Sequence, residues 1–118
     1  MVVEEINVEE LARRMDAANE AGDTVRLIDV REPDEYVEGH VPGAELIVLG
    51  TVPDNVNRFS GDGPTYVICR SGARSMRAAK FVAEHGVEAI NIAGGTLAWM
   101  ASGRPVITGG EPGGALPS

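Results

Sequence analysis

One short stretch of the chain combines a nucleophile with two cations and a glycine. It consists of Cys69, Arg70, Ser71, Gly72, Ala73, Arg74 and Ser75. Cys69 is the only cysteine in the sequence, and an ionised thiol is a strong nucleophile. Arg70 and Arg74 favour the ionised form, because a nearby positive charge lowers the pKa of a thiol. A purely structural cysteine would not account for these flanking arginines.

The sequence on either side predicts how this stretch is positioned. Residues 65–68 have the composition of a buried strand, and residues 76–85 are patterned as a helix. A strand that leads through a glycine-containing turn into a helix exposes a residue at the carboxyl edge of a parallel sheet. The N–H groups of such a turn and of the helix N-terminus favour negative charge. We therefore expect a site for a thiolate and an anionic ligand here.

The rest of the chain alternates between helical and extended patterns. Helices are predicted at residues 8–20, 32–39, 51–59 and 96–102, and strands around residue 6 and at 25–30, 46–49 and 88–92. This order predicts a three-layer α/β domain with a mainly parallel sheet. We place the domain at residues 1–107. Residues 108–118 are rich in glycine and proline, which predicts a mobile tail.

Three further polar residues are expected to serve the architecture near the site. Asp29 interrupts an apolar strand and needs a partner, because an unpaired buried charge is costly. Arg31 is the nearest candidate, so we expect the two to pair at the strand end. His40 is expected to hydrogen-bond a loop. With two histidines and one cysteine, the chain offers no metal-binding set at the usual spacings.

The composition excludes several functions. Ten lysines and arginines against eighteen aspartates and glutamates give a net charge of −8, which argues against a nucleic-acid partner. No apolar run reaches the roughly 18 residues of a membrane span, and the N-terminus lacks the pattern of a signal peptide. One cysteine cannot form an intrachain disulfide, which agrees with a reducing compartment. We expect a cytoplasmic monomer that does not bind membranes.

Four short motifs lie in order between about residues 6 and 106. They are residues 27–32 (LIDVRE), Tyr36 with residues 39–44 (GHVPGA), the stretch from Cys69 to Ser75, and residues 94–99 (GGTLAW) with residues 103–106 (GRPV). In this order and spacing they resemble the single-domain rhodaneses, which are sulfurtransferases. The resemblance implies a sheet of about five strands with helices on both faces.

The resemblance also implies a reaction and residue roles. Cys69 would attack the outer sulfur of a small anionic donor such as thiosulfate, form a persulfide, and pass the sulfur to a thiophilic acceptor without a cofactor. The loop from Arg70 to Ser75 would bind the substrate, with Arg70 and Arg74 on its oxyanion end. Arginine at the second and sixth loop positions is similar to the thiosulfate type. Residues 45–50 depart from the family pattern, so cyanide, a small thiol and a protein remain open as acceptors.

Two alternatives from other functional classes remain open. Related cysteine phosphatases and arsenate reductases have a longer loop, whereas only four residues lie between Cys69 and Arg74. The ring is thus one residue short for a tetrahedral phosphate and better sized for a sulfur atom. A non-catalytic regulatory rhodanese module usually lacks the cysteine that this chain has. Persulfide formation after incubation with thiosulfate would separate the three functions.

Overall fold

The computed structural model describes residues 2–109, so nearly all of the predicted tail lies outside the described residues. The strands are β1 (Glu4–Ile6), β2 (Arg26–Asp29), β3 (Glu45–Leu46), β4 (Thr65–Ile68) and β5 (Ala89–Ile92). The helices are α1 (Val8–Glu20), α2 (Pro33–Glu38), α3 (Ala73–Glu84) and α4 (Gly95–Ala101), with a 3₁₀ segment at Leu49–Phe59. Within residues 2–109, no helix is both long and apolar enough to span a bilayer.

The strands form one parallel sheet in the order β1-β5-β4-β2-β3. From β1 through β2 to β3 the chain moves across the sheet in one direction, and from β3 through β4 to β5 it moves back. Parallel crossovers are right-handed, so the two directions of travel place their helices on opposite faces. The predicted three-layer α/β fold with about five strands is confirmed.

The two faces of the sheet carry separate apolar cores. Side chains alternate along a strand, so Tyr66 and Ile68 of β4 face one core and Val67 faces the other. The first core is closed by side chains from α1, α2 and α4, namely Leu11, Tyr36 and Trp99. The second is closed by the 3₁₀ segment and α3, through Val52, Phe59, Ala79 and Val82. Strands buried on both faces explain the continuous apolar runs in the sequence.

The topology creates a crevice between β2 and β4. These strands are neighbours, but the chain leaves β2 toward the face of α2 and leaves β4 toward the face of α3. Neighbouring strands whose connections part to opposite faces open a crevice at their carboxyl ends, which is where ligands bind in such sheets. Cys69 follows β4, and Arg31 lies just after β2. The fold therefore brings both predicted motifs to one place.

Two element boundaries differ from the sequence prediction by three residues, and the others differ by at most two. β3 ends at Leu46 instead of residue 49, because its partner β2 ends at Asp29 and the chain then turns into the 3₁₀ segment. The predicted helix after the cysteine begins at Ala73 instead of residue 76. Gly72 is its N-cap, with a φ of 116°, a left-handed conformation that favours glycine. The second half of the predicted loop is thus already the first turn of α3.

Candidate active site

The Cys69 sulfur is held by hydrogen-bond donors from the first turn of α3. The N–H of Gly72 donates to Sγ at 3.1 Å, and the hydroxyl of Ser75 donates to it at 3.3 Å. Burial raises the pKa of the Cys69 thiol, but hydrogen bonds from the Ser75 hydroxyl and from the N–H groups of Ser75, Gly72 and Ser71 outweigh it. The pKa therefore lies below its ordinary value, and these donors favour a sulfur that carries negative charge.

The start of α4 holds the backbone of the cysteine from behind. The carbonyl of Cys69 accepts hydrogen bonds from the N–H of Thr96 at 2.9 Å and from its hydroxyl at 3.1 Å. The next carbonyl, that of Arg70, accepts the N–H of Leu97 at 3.0 Å. Gly95 has a φ of 59°, and a Cβ there would lie 2.5 Å from both carbonyl oxygens. Only glycine allows this approach without displacing the turn.

Strand β5 holds the same turn through a buried amide. Nδ2 of Asn91 donates to the carbonyl of Gly72 at 3.2 Å and to the carboxylate of Glu5 at 2.7 Å. The Ser75 hydroxyl lies 3.2 Å from the Gly72 carbonyl and can donate its single proton either there or to the sulfur. Gly72 is therefore held through its carbonyl while its N–H points at the sulfur. The turn is fixed from the sheet as well as from α4.

Arg74 forms an ion pair that the sequence analysis did not anticipate. Its Nη1 and Nη2 atoms donate to the two carboxylate oxygens of Glu35 in α2, at 2.8 and 2.9 Å. Glu35 also accepts the N–H of Glu32 at 3.0 Å, near the start of that helix. The hydrogen bond from Arg74 lowers the pKa of Glu35 to about 2, and Glu35 in turn raises the pKa of Arg74. The pair therefore stays ionised at neutral pH.

The remaining loop residues are open to solvent. Arg70, Ser71 and Ala73 are exposed, whereas Ser75 is buried against the cysteine. Within residues 2–109, the Arg70 guanidinium has no carboxylate partner. The structure thus brings all the predicted loop residues together, but it gives the two arginines different surroundings. Their predicted contact with a substrate stays a prediction.

The predicted pairing of Asp29 with Arg31 is confirmed. Nη2 of Arg31 donates to Oδ2 of Asp29 at 2.8 Å, and Nε donates to Oδ1 at 2.9 Å. Both side chains are buried, and Arg31 also donates to the carbonyl of Gly39 at 2.8 Å. His40 is buried, stacks on the Tyr36 ring, and donates from Nδ1 to the Tyr36 carbonyl at 2.8 Å. Its predicted partner in a loop is therefore wrong: Tyr36 belongs to α2, and its carbonyl lies one helical turn before His40. These contacts tie the segment after β2 to α2.

A cleft of about 280 Å³ reaches the loop at Arg70. Its lining comes from the segment after β2, from the loop and from α4, namely Arg31, Glu35, Glu38, Gly39, Arg70, Thr96, Leu97 and Met100. Leu97 and Met100 are among the few large apolar side chains that are exposed in the described part of the chain. The cleft thus combines two cations, two carboxylates and an apolar edge at Arg70. Cys69 itself is buried and does not line the cleft, so the exposure predicted for it at the sheet edge is wrong: the first turn of α3 covers its sulfur. Residues 2–109 contain no cluster of three or more side chains suited to a metal ion.

Sequence reasoning missed Glu35, Asn91, Gly95 and Thr96 as parts of the site. Glu35 has the expected position of a first-turn acid in a short helix, and nothing near it in the sequence indicates Arg74. Asn91 offered one available signal, since it is a polar residue within a strand predicted to be buried. Gly95 and Thr96 lie in the motif of residues 94–99, but their closeness to Cys69 depends on the sheet order.

Comparison with known proteins places the chain and its fold in a family. A family model described as a rhodanese-like domain matches residues 7–102, and the chain belongs to that family. It is 36% identical to the Bacillus subtilis protein YtwF, over 89% of this chain and 98% of that protein. It is 31% identical to a sulfurtransferase of Allochromatium vinosum, over 90% and 96% of the two chains. The crystal structure of a rhodanese-like domain protein from Staphylococcus aureus matches with a TM-score of 0.76 at 29% identity, over 98% of this chain and all of that one. The resemblance noted in the sequence is thereby confirmed.

Proposed function

We propose that this protein is a sulfurtransferase that moves a sulfane sulfur from a donor such as thiosulfate to a thiophilic acceptor through a persulfide on Cys69. The observation that carries the proposal is the position of the Cys69 sulfur, which accepts the Gly72 N–H and the Ser75 hydroxyl at the start of α3. These donors stabilise a thiolate before the reaction and a persulfide anion after it. The sulfurtransferase of Allochromatium vinosum supports the same class of reaction.

The first half-reaction loads the cysteine with sulfur. The Cys69 thiolate attacks the outer sulfur of thiosulfate, and a new S–S bond forms on Cys69. The S–S bond of thiosulfate breaks, and sulfite leaves with the electron pair. The protein gains one sulfur atom and retains one negative charge, so the step needs no oxidant, metal or cofactor.

The second half-reaction returns the cysteine to its thiolate form. A thiophilic acceptor, which is cyanide, a small thiol or a protein thiol, attacks the outer sulfur of the persulfide. The bond between the two sulfur atoms breaks, and its electron pair stays on Cys69. With cyanide the product is thiocyanate. The exposed side chains of Leu97 and Met100 beside Arg70 give a larger acceptor an apolar edge to contact.

The loop residues have separate roles in this cycle. The N–H groups of Ser71, Gly72 and Ser75 stabilise charge on the sulfur. Arg70 is exposed and holds the anionic end of the donor by charge-assisted hydrogen bonds. The small side chain of Ala73 takes up little space beside the sulfur. Arg74 adds positive charge, which its ion pair with Glu35 partly neutralises. Asp29, Arg31 and His40 support the opposite side of the crevice.

Intact-protein mass spectrometry tests the proposal. Incubation with thiosulfate should add the mass of one sulfur atom to the wild-type protein, and cyanide should remove it as thiocyanate. The Cys69→Ser variant should show no addition, because the chain has no other cysteine. An adduct that persists in Cys69→Ser would contradict the proposal that Cys69 carries the sulfur. Absence of an adduct in the wild type with every sulfane-sulfur donor would favour a non-catalytic module.

A further inference from the structure

The ion pair between Arg74 and Glu35 limits what Arg74 can do for a bound donor. Both terminal nitrogens of Arg74 donate to the carboxylate, at 2.8 and 2.9 Å. This planar two-point contact is the same geometry by which a guanidinium binds an oxyanion. An anion that approached the same edge of Arg74 would have to displace Glu35. The Glu35 carboxylate therefore competes with the sulfur donor for the guanidinium of Arg74.

The cleft beside the loop has balanced charge. It is lined by two cations, Arg31 and Arg70, and by two carboxylates, Glu35 and Glu38. Arg31 is already paired with the buried Asp29. Of the two loop arginines, Arg74 is paired with Glu35, whereas Arg70 has no carboxylate partner within residues 2–109. A negative charge on the donor is attracted by Arg70 but repelled by Glu35 and Glu38, and both effects grow with the donor's charge, so a carboxylate in this cleft changes the binding of a dianion more than that of a monoanion.

We infer that Glu35 sets the charge of the sulfur donor that this site prefers: by pairing with Arg74 it weakens binding of the dianion thiosulfate relative to singly charged organic persulfides. This inference rests on the proposed function. With an organic persulfide, the Cys69 thiolate attacks the outer sulfur, the S–S bond of the donor breaks, and an organic thiolate leaves with the electron pair. The atoms and charges balance as they do with thiosulfate, and no oxidant is needed.

A conservative substitution separates the charge of Glu35 from its shape. Glu35→Gln keeps an oxygen that accepts the Glu32 N–H, but it removes the negative charge from Arg74. The half-saturating concentration of thiosulfate in persulfide formation should fall by roughly three- to tenfold at low salt. The half-saturating concentration of 2-hydroxyethyl persulfide, whose only charge is on sulfur, should change by less than about twofold.

Two matched variants show whether the effect passes through Arg74. Glu38→Gln removes the same charge from the same cleft, but Glu38 forms no ion pair within residues 2–109. It should change the preference between donors less than Glu35→Gln does, because it leaves the pair of Glu35 with Arg74 intact. In the double variant Glu35→Gln with Arg74→Gln, the gain for thiosulfate should be lost. Each variant is assayed by mass spectrometry of the Cys69 persulfide against donor concentration, at low and high salt.

The possible results are distinct. An equal gain in Glu38→Gln, a gain that persists without Arg74, or loss of the thiosulfate reaction in Glu35→Gln would each overturn the inference. The inference also fails if the half-saturating concentration of thiosulfate is the same in Glu35→Gln as in the wild type. In that case the proposed function still stands. If neither donor forms a persulfide on wild-type Cys69, the proposed function itself fails.

Discussion

The two walls of the crevice are built by different means. The turn wall, residues 69–75, depends on the backbone and on one buried hydroxyl: the Cys69 sulfur accepts the Gly72 N–H and the Ser75 hydroxyl, and the Cys69 carbonyl accepts the Thr96 N–H. The α2 wall, residues 29–40, depends on side chains, chiefly the ion pair of Arg31 with Asp29. Glu35 reaches from the α2 wall to the turn wall and joins them. The turn wall therefore favours the ionised form of the sulfur, and the α2 wall determines how far the charge of Arg74 is neutralised.

This difference determines which substitutions can change the site. Backbone donors survive a change of side chain, so the thiolate should tolerate variation at exposed loop positions such as Ser71 and Ala73. The charge of the α2 wall, in contrast, changes with a single substitution. The turn wall is vulnerable where glycine is required and at Ser75, whose hydroxyl donates to the sulfur. We expect the largest effects from its backbone, followed by the buried ion pair, the thiolate and the substrate range.

The strongest perturbation of the turn wall is Gly95→Ala. The added Cβ would lie 2.5 Å from the carbonyl oxygens of Cys69 and Arg70, at a φ of 59°. We expect a loss of about 4 kcal/mol in the free energy of unfolding and loss of persulfide formation. Gly103→Ala, just beyond the other end of α4, is the control: its φ is 80° but its Cβ would meet no atom within 4 Å. It should cost only about 1–2 kcal/mol in urea unfolding, and equal losses would contradict the argument.

The matching perturbation of the α2 wall is Asp29→Asn. It leaves the buried Arg31 guanidinium without its counter-charge, which typically costs about 3 kcal/mol. Urea unfolding should show this loss in the midpoint without a change in slope. Asp34→Asn, at an exposed position in the first turn of α2, should cost only about 0.5 kcal/mol. Similar losses in the two variants would mean that the buried pair does not stabilise the fold.

A smaller effect is expected on the thiolate itself. Because the pKa of Cys69 is lowered, the thiolate fraction should rise with pH through a midpoint below that of a free cysteine. Ser75→Ala removes a hydrogen bond that lowers the pKa, so its midpoint should move up and its thiolate fraction at neutral pH should fall. Arg74→Ala should move the midpoint up by less, because its charge is shared with Glu35. Thiolate absorbance against pH measures this, with Cys69→Ser for the tyrosine background. A larger shift in Arg74→Ala would reverse the ranking.

The last prediction concerns a reaction that the wild-type protein should hardly catalyse. We expect negligible hydrolysis of an aryl phosphate, since only four residues lie between Cys69 and Arg74 and Arg74 is engaged by Glu35. Insertion of a glycine after Ser71 should weaken sulfur transfer, because it displaces the N–H groups from the sulfur. The assay is release of the aryl alcohol, with Cys69→Ser as control. Steady turnover by the wild type that disappears in Cys69→Ser would identify a phosphatase instead.

Local patterns in the sequence were sufficient for much of this site. The cysteine turn was predictable because a buried strand, a glycine and a helix follow one another in the chain. The pairing of Asp29 with Arg31 was predictable because a buried carboxylate needs a partner and the arginine is two residues away. The parallel sheet followed from the alternation of helices and strands. In each case the interacting groups are close in sequence.

The contacts that join distant segments could not be predicted in this way. Glu35 and Arg74 are 39 residues apart, and each has an ordinary position in its own helix. The approach of Gly95 to Cys69, and of Asn91 to Gly72, requires the order of the strands in the sheet. The early start of α3 was missed because Gly72 takes a left-handed conformation, so that loop and helix overlap. Sequence periodicity carries no signal for such tertiary contacts.

The hydrogen bond from the Gly72 N–H to the Cys69 sulfur makes that amide a natural spectroscopic probe. The resonance of an amide proton depends on the charge and distance of the atom that accepts it. Thiol, thiolate and persulfide forms of Cys69 should therefore give separate Gly72 signals in nitrogen-15 NMR spectra of the unmodified protein. Titration with a donor would then show the filling of the site directly, and addition of candidate acceptors would show which one empties it.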